Sequence, residues 1–407
     1  MAIAIAKDIF WTGYIDWNLR DFHGYTTSRG VTYNSYLVKG TEKTALIDSV
    51  KAPFASEMLM QVAQLTPPAK VDYLVVNHAE LDHSGALPLL MGMMPRAKVV
   101  CNKKTQAILQ AYYGCYDWNW ELVATGSTLS LGDKTLQFTE VPFVHWPDSM
   151  VTYCPEVKVL FSNDAFGQHY CSIPRFDDEV PLADILAEAK TYYANIVNPY
   201  SKQVALALAK LGALDLAQIC PAHGVCWRSH VAEILKAYRN WSAQKSQAKV
   251  LVIYETMWES TRMMAEAIAR GASMVPGVQV KLLNARLVNK TILATECLDA
   301  AVIALGSATL NNQALSDITG DVSYLKGLNF TGKASLAFGS FGWGKGGAEQ
   351  LDAELDNLKW ERLASPIKAK WRPDAQCLSQ CLEAGKALAE KALATATASS
   401  YEKLFID

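Results

Sequence analysis

No apolar run in this 407-residue chain approaches the roughly 20 residues needed to cross a bilayer, so no membrane is expected as a partner. The N-terminus is apolar only briefly before Lys7 and Asp8 and has no basic n-region. It therefore does not read as a signal peptide, and a cytoplasmic location is expected. The formal net charge is −2, which gives no electrostatic reason to expect nucleic acid. The nine cysteines are odd in number and scattered, with no C-x-x-C pair. That excludes a zinc ribbon, a thiolate iron–sulfur cluster and a disulfide framework, and fits a reducing compartment. There is no G-x-x-x-x-G-K-[ST] and no G-x-G-x-x-G at the turn after Tyr254, which argues against a nucleoside triphosphate and against a dinucleotide. There is no internal repeat.

What is present is an ordinary core-rich composition, 50% hydrophobic and 19% charged, at a length that suggests two or three domains. Residues 31–38 and 43–48 read as a hairpin around Gly40-Thr41-Glu42, and 55–65 as a helix. Further strands are expected over 71–77, 135–141, 150–154 and 157–162, and helices over 182–197 and 202–211. The polar stretch 241–248 reads as a linker. After it, strand-like runs at 249–254, 279–283, 300–305 and 333–338 alternate with helical patterns such as 262–274 and 349–358, which predicts a doubly wound parallel sheet. The expected division is a first domain over 1–248, a second over 249–395, and a loosely held tail over 396–407.

Chemistry concentrates first in His78-Ala79-Glu80-Leu81-Asp82-His83, directly after an apolar run and before a turn into a helix. Mixed imidazole and carboxylate donors suit iron, manganese or catalytic zinc better than structural zinc. Three later residues stand in similar settings, each just after a strand-like run: His145, Asp164 and His223. One site at one edge of a sheet sandwich would gather all seven. Trp146 is expected to pack near it, whereas His169 and His230 have no motif behind them.

A second constellation lies after residue 254. Thr256-Met257-Trp258-Glu259-Ser260-Thr261 is a short hydroxyl-rich loop entering a helix, an arrangement that binds a phosphate through backbone N–H groups and the helix dipole. Ser307-Ala308-Thr309-Leu310-Asn311-Asn312 and Ser340-Phe341-Gly342-Trp343-Gly344 follow the next two parallel strands and would share that sheet edge. A flavin monophosphate fits such a loop set, with Trp343 lying flat on the ring system.

The order H-x-E-x-D-H, then His145, Asp164 and His223, followed by a flavodoxin-like segment, resembles the A-type flavodiiron proteins over nearly the whole chain. The resemblance implies an αββα metallo-β-lactamase-like sandwich followed by a flavodoxin-like domain. It implies two iron ions, one held by His78, Glu80 and His145, the other by Asp82, His83 and His223, with Asp164 between them, and FMN in the second domain. Ala308 departs from the pattern, since relatives often have proline there. His23 corresponds to a family position close to the irons that supplies a proton or hydrogen bond, or else is a structural loop histidine. Tyr193 is either a hydroxyl donor beside the site or a half-buried aromatic. The implied activity is reduction of O2 to water or of NO to N2O, by a head-to-tail homodimer or homotetramer. With no C-x-x-C pair of its own, the chain would need a separate electron donor, such as a rubredoxin or a flavin reductase. The competing reading is a two-zinc hydrolase with an accessory flavodoxin-like domain; Glu80, a hard anionic donor, argues for iron.

Overall fold

The computed structural model describes residues 3–399. By packing, these form two compact units, residues 3–192 with 202–239, and residues 193–201 with 240–399.

Besides two short two-stranded sheets, the first unit contains two large ones. In spatial order, one has strands Ile3–Ala6, Ile9–Trp11, Tyr36–Lys39, Thr44–Ile47, Tyr73–Val75, Lys98–Cys101 and Trp120–Leu122. The other has Thr128–Ser130, Thr135–Glu140, Met150–Cys154, Val159–Asn163 and Gln218–Pro221. Successive side chains on a strand point to opposite faces, and the burial pattern uses this. Val38, Ala45, Ile47, Tyr73 and Val75 face Phe138, Met150, Val159 and Phe161 in a core between the sheets. Their neighbours Leu37, Leu46 and Leu74 join Met58, Val62, Leu87 and Leu90 in a second core under the helices. The αββα sandwich therefore follows from strands apolar on both faces.

The expected hairpin forms only in part. Tyr36–Lys39 pairs with Thr44–Ile47, but Val31–Tyr33 pairs with Tyr14–Asp16 instead. Helix Ala55–Leu65 has the expected bounds. The helix from Leu182 ends at Tyr192, and the chain continues as a wider π turn over Tyr193–Val197. That turn is stitched into the second unit. Asn195 donates to the Thr291 carbonyl at 3.2 Å and accepts from the Tyr324 hydroxyl at 2.8 Å, and Asn198 donates to the Leu328 carbonyl at 2.7 Å. The expected linker is largely ordered into elements, since helix Val231–Ser242 and strand Gln247–Glu255 leave a four-residue connection between them.

The second unit is built on a parallel sheet, ordered Gln279–Asn284, Gln247–Glu255, Ala300–Leu310, Ala334–Phe341 and then Glu361–Arg362 and Ile367–Lys370. This is the doubly wound order in which the crossover reverses beside the first strand, and ligands bind at that switch point. The last helix, Ala375–Ser399, runs into the stretch expected as a tail, and residues 400–407 lie outside the described residues. Among the described residues no helix is long and apolar enough to cross a membrane.

One carboxyl in this unit makes its stability pH-dependent. Burial, then the charges of Asp317 and Glu255, push Asp321 up to about 7. Its folded value lies above the unfolded one, so its contribution is present in acid and lost as pH rises towards 7. Asp321→Asn is expected to gain on the parent as pH rises from 4 to 7. The difference in melting temperature should widen by about 2–4 °C, what ~1 kcal/mol gives a domain of this size. A difference independent of pH would show that Asp321 ionises normally.

Candidate metal and flavin sites

All seven candidate ligands of the first unit come together at one edge of the sandwich, five on loops that leave strand ends and two, Asp82 and His83, on the short helix Leu81–Ser84. His78 lies beyond Tyr73–Val75, Asp164 directly follows Val159–Asn163, and His223 follows Gln218–Pro221. A buried carboxylate ties the loop bases together. Asp48 accepts from the Asn77 backbone N–H at 2.8 Å, the Asn77 amide at 3.0 Å and the Asn163 amide at 3.2 Å.

The donors form two groups, His78, Glu80, His145 with Asp164, and Asp82, His83 with His223. In the first, Glu80 Oε2 lies 3.3 Å from both His78 Nε2 and His145 Nε2. In the second, Asp82 lies 3.4 Å from His83 Nε2 and 3.3 Å from His223 Nε2. Asp164 serves both. Its Oδ2 is 3.8 Å from His78 and 3.7 Å from His145, while its Oδ1 is 3.0 Å from His83 and 3.4 Å from His223.

These groups fit a pair of cations. Among the described residues, Asp82 Oδ1, His83 Nδ1 and Asp164 Oδ2 are buried without a hydrogen-bond partner. Buried polar atoms left unpaired cost free energy, and a metal ion satisfies several at once. Three carboxylates here offset three of the four charges of two ferrous ions. Without a cation the balance is kept by protons. Burial opposes charge on His223, but Asp164 and Asp82 outweigh it and push its imidazole up to about 10. Four imidazoles around three carboxylates thus have the donor chemistry of a mixed nitrogen and oxygen iron site.

Several positioning groups were not visible in the sequence. Asp148 Oδ1 lies 3.1 Å from His78 Nδ1, and its Oδ2 accepts from the Ala79 N–H at 2.9 Å, which turns His78 Nε2 towards Glu80. His223 Nδ1 donates to the Thr32 carbonyl at 2.6 Å with the same effect. Such partners fix the ring orientation and tautomer of a ligating histidine. Asp148→Asn is expected to lower iron affinity by about 10- to 100-fold, measured by titrating metal-free protein. Unchanged affinity would mean that His78 is oriented without it.

The tyrosine beside the site is Tyr192, not Tyr193. The Tyr192 hydroxyl donates to Asp164 Oδ1 at 2.8 Å. The Tyr193 hydroxyl is taken by Ser201 at 2.9 Å, and its ring packs on Trp241. Helical spacing contained the signal, since Ile185, Ala189 and Tyr192 continue one buried stripe. His23 reaches the site, with Nε2 3.6 Å from Glu80 Oε1 and its side chain 64% exposed. Trp146 meets His78 edge-on at 4.8 Å. His169, which had no motif, packs 5.5 Å from the His223 ring and 4.8 Å from that of Tyr192. His230 sits instead at the start of helix Val231–Ser242, its N–H donated to Asp177.

In the second unit, the three expected loops surround a cavity of about 610 Å³. Met257, Trp258, Ser260, Ala308 to Asn312 and Ser340 to Gly344 line it, joined by Trp371 and Arg372, which the sequence did not reveal. Trp258 and Trp343 are 86% and 91% exposed, and the Trp371 ring lies 5.7 Å from that of Trp343. Thr256 and Thr261 sit behind the rim. The Thr256 hydroxyl is buried without a partner, and the Thr261 and Ser340 hydroxyls are 2.9 Å apart, beside the first residues of helix Ser260–Ser273. An orphaned hydroxyl at a helix N-terminus suits a phosphate. Gly346 permits the close loop approach: its φ is +141°, and a Cβ there would meet the Asn312 carbonyl at 2.0 Å. Ser307 and Glu259 are otherwise engaged. The Ser307 hydroxyl accepts from the Leu315 N–H and donates to the Ala308 carbonyl, and Glu259 pairs with Arg262.

Comparison with known proteins agrees with both halves. Residues 31–224 match the ODP family of beta lactamases, and residues 252–385 match flavodoxin. The structure superposes on the flavodiiron protein of Giardia intestinalis with a TM-score of 0.95 and 36% identity, covering 98% of each chain. The chain belongs to the flavodiiron protein family. The family's rubredoxin oxygen:oxidoreductase from Desulfovibrio gigas superposes with a TM-score of 0.94 and 38% identity, over 97% of this chain and 99% of that one. By sequence, a nitric oxide reductase of Moorella thermoacetica is 41% identical over 96% of this chain and 98% of its own length. An anaerobic nitric oxide reductase flavorubredoxin of Salmonella typhi is 39% identical over 96% of this chain and 82% of its own.

Proposed function

We propose that this chain is a terminal oxidoreductase in which electrons pass from FMN to a non-haem diiron centre and O2 is reduced to water, NO to N2O, or both. The observation that carries the reading is the Asp164 carboxylate, which turns one oxygen to each donor group. His78, Glu80 and His145 would hold one iron, Asp82, His83 and His223 the other, and Asp164 both. Thr256, Ser260 and Thr261 would hold the FMN phosphate, and the cavity between Trp258 and Trp343 the ring system. When bound, FMN and the two irons would supply electron transfer, two electrons for a pair of NO molecules or four for one O2.

The chain's own residues do the positioning. Asp148 and the Thr32 carbonyl hold His78 and His223 in the tautomer that leaves Nε2 free. Glu80 places an anionic oxygen where a histidine would leave a neutral donor, which favours higher-valent iron over zinc. Tyr192 donates a hydrogen bond to Asp164 Oδ1, so its hydroxyl limits how much negative charge that oxygen offers. His23, close to Glu80 and open to water, is placed to carry protons between solvent and the site.

A separate electron donor, a rubredoxin or a flavin reductase, completes the chain of transfer. We place the functional domains at residues 1–248 and 249–395 and infer a head-to-tail homodimer or a homotetramer, in which one chain's FMN serves its partner's irons. The test is to quantify metal and flavin in the purified protein, reduce it without oxygen through a donor, and mix it with O2 or NO while following each gas. Two irons and one FMN per chain, with consumption of either gas, are expected. Bound zinc, with ester or lactam hydrolysis and no gas consumption, would establish the hydrolase instead.

A further inference from the structure

Two cysteines close the neck of the loop that carries His223. Ile219 and Trp227 form an antiparallel bridge and exchange both backbone hydrogen bonds, each 2.9 Å long. Cys220 and Cys226 are the next residues inward of this isolated bridge, and their thiols are hydrogen-bonding neighbours. The pair next to a hydrogen-bonded one is non-hydrogen-bonded, with Cα atoms about 4.5 Å apart and side chains on the same face. That separation lies within the roughly 4.4–6.8 Å that a disulfide spans. Both residues are 1% exposed and belong to the same core between the sheets. The backbone around Cys226 is fixed from the other side, its N–H donated to the Arg175 carbonyl at 2.7 Å and its carbonyl accepting from Asp177 at 3.0 Å.

The surroundings favour a thiolate. The Tyr36 hydroxyl donates its one proton to the Pro221 carbonyl at 2.6 Å and lies 3.5 Å from Cys226 Sγ. Arg175 is 2% exposed, and among the described residues its Nη1 and Nη2 have no hydrogen-bond partner. Its guanidinium stands 4.9 Å from the Trp11 ring, and only its Nε is used, on the Ile173 carbonyl at 3.1 Å. A buried charge whose Nη groups make no hydrogen bond is costly, and an anion at Cys226 would add to the Glu179 charge in offsetting it. Burial alone would push the Cys226 thiol up, but Cys220 and the Arg175 charge draw it below its ordinary value, while burial and Cys226 push Cys220 well up.

We propose that Cys220 and Cys226 form an oxidisable dithiol, which hydrogen peroxide closes to a disulfide across the neck of the His223 loop. The Cys226 sulfur attacks one peroxide oxygen and the O–O bond breaks, leaving a sulfenic acid and a hydroxide that takes up the Cys226 proton and leaves as water. The Cys220 sulfur then attacks the sulfenic sulfur, forming the S–S bond, and the hydroxyl departs as water with the Cys220 proton. Two thiols are oxidised and one peroxide is reduced to two waters. Incomplete reduction of O2 at the neighbouring centre would generate such an oxidant, and this clause alone rests on the proposed function.

The test is treatment of the reduced, metal- and flavin-loaded protein with stoichiometric hydrogen peroxide, followed by acid quenching, unfolding, alkylation and peptide mapping. Expected is a peptide lighter by two hydrogens, with Cys220 and Cys226 refusing the alkylating agent until dithiothreitol is added. Cys226→Ser should restore full alkylation of Cys220. Cys377 and Cys381, one helical turn apart with Cys377 partly exposed, serve as the comparison pair and should stay free at the same dose. Full alkylation of Cys220 and Cys226 after peroxide, or over-oxidation of Cys226 without cross-linking, would overturn the proposal. Iron content, measured in parallel, reports separately on the ligand reading.

Discussion

Asp164→Asn is expected to cost the protein both irons and all measurable gas consumption, while FMN stays bound. The change is nearly isosteric, and the amide oxygen can still accept from Tyr192, which donates to Asp164 Oδ1 at 2.8 Å. What it removes is one negative charge and one of two anionic oxygens, at the one residue that faces both donor groups. Loss of a group that merely orients a ligand typically lowers metal affinity or activity by about 10- to 100-fold, so loss of the shared carboxylate should lower turnover by about a thousandfold or more. Iron analysis, flavin absorbance and gas consumption on one preparation decide it. Two irons per chain with parental turnover would refute the shared role of Asp164. Loss of flavin as well would point to a folding defect, and thermal unfolding of the variant distinguishes the two.

The second large effect belongs to the other unit. Thr256→Glu would place a carboxylate where the buried, unpartnered Thr256 hydroxyl stands, beside the start of helix Ser260–Ser273. A fixed negative charge against a phosphate costs several kcal/mol, and each ~1.4 kcal/mol is a factor of ten. FMN affinity should fall by about a thousandfold, read by fluorescence titration of flavin-free protein, with iron content unchanged. Donor-driven gas consumption should be lost, because electrons then have no entry. If FMN binds the variant as tightly as the parent, the phosphate lies elsewhere on this sheet edge.

Much of both sites was legible because the chemistry is local in sequence. Four of the seven ligand candidates stand within His78 to His83, and the others each follow an apolar run directly. The three flavin loops likewise follow strands whose parallel order the β-α alternation implies. The groups that aim those ligands were not legible. Asp148 reaches His78 across 70 positions, and Thr32 reaches His223 across 191. Nothing in a local pattern distinguishes such residues from other polar loop residues. Tyr192 shows how narrow the margin is: two adjacent tyrosines look equivalent as sequence, but a helix turns about 100° per residue. One hydroxyl therefore meets Asp164 while the next is taken by Ser201.

The sequence by itself determined the donor types, their order and the two layered architectures. Periodicity and strand-end loops are properties of short segments, and burying their apolar faces leaves few ways to stack them. Only the tertiary structure decided that Asp164 points one oxygen to each group, that His83 turns its Nε2 inward to 3.0 Å from that carboxylate, and that residues 193–201 pack with the second unit. Those outcomes depend on side-chain directions and on pairings between distant strands. They are fixed when the whole core closes, and no single segment carries the energy that sets them.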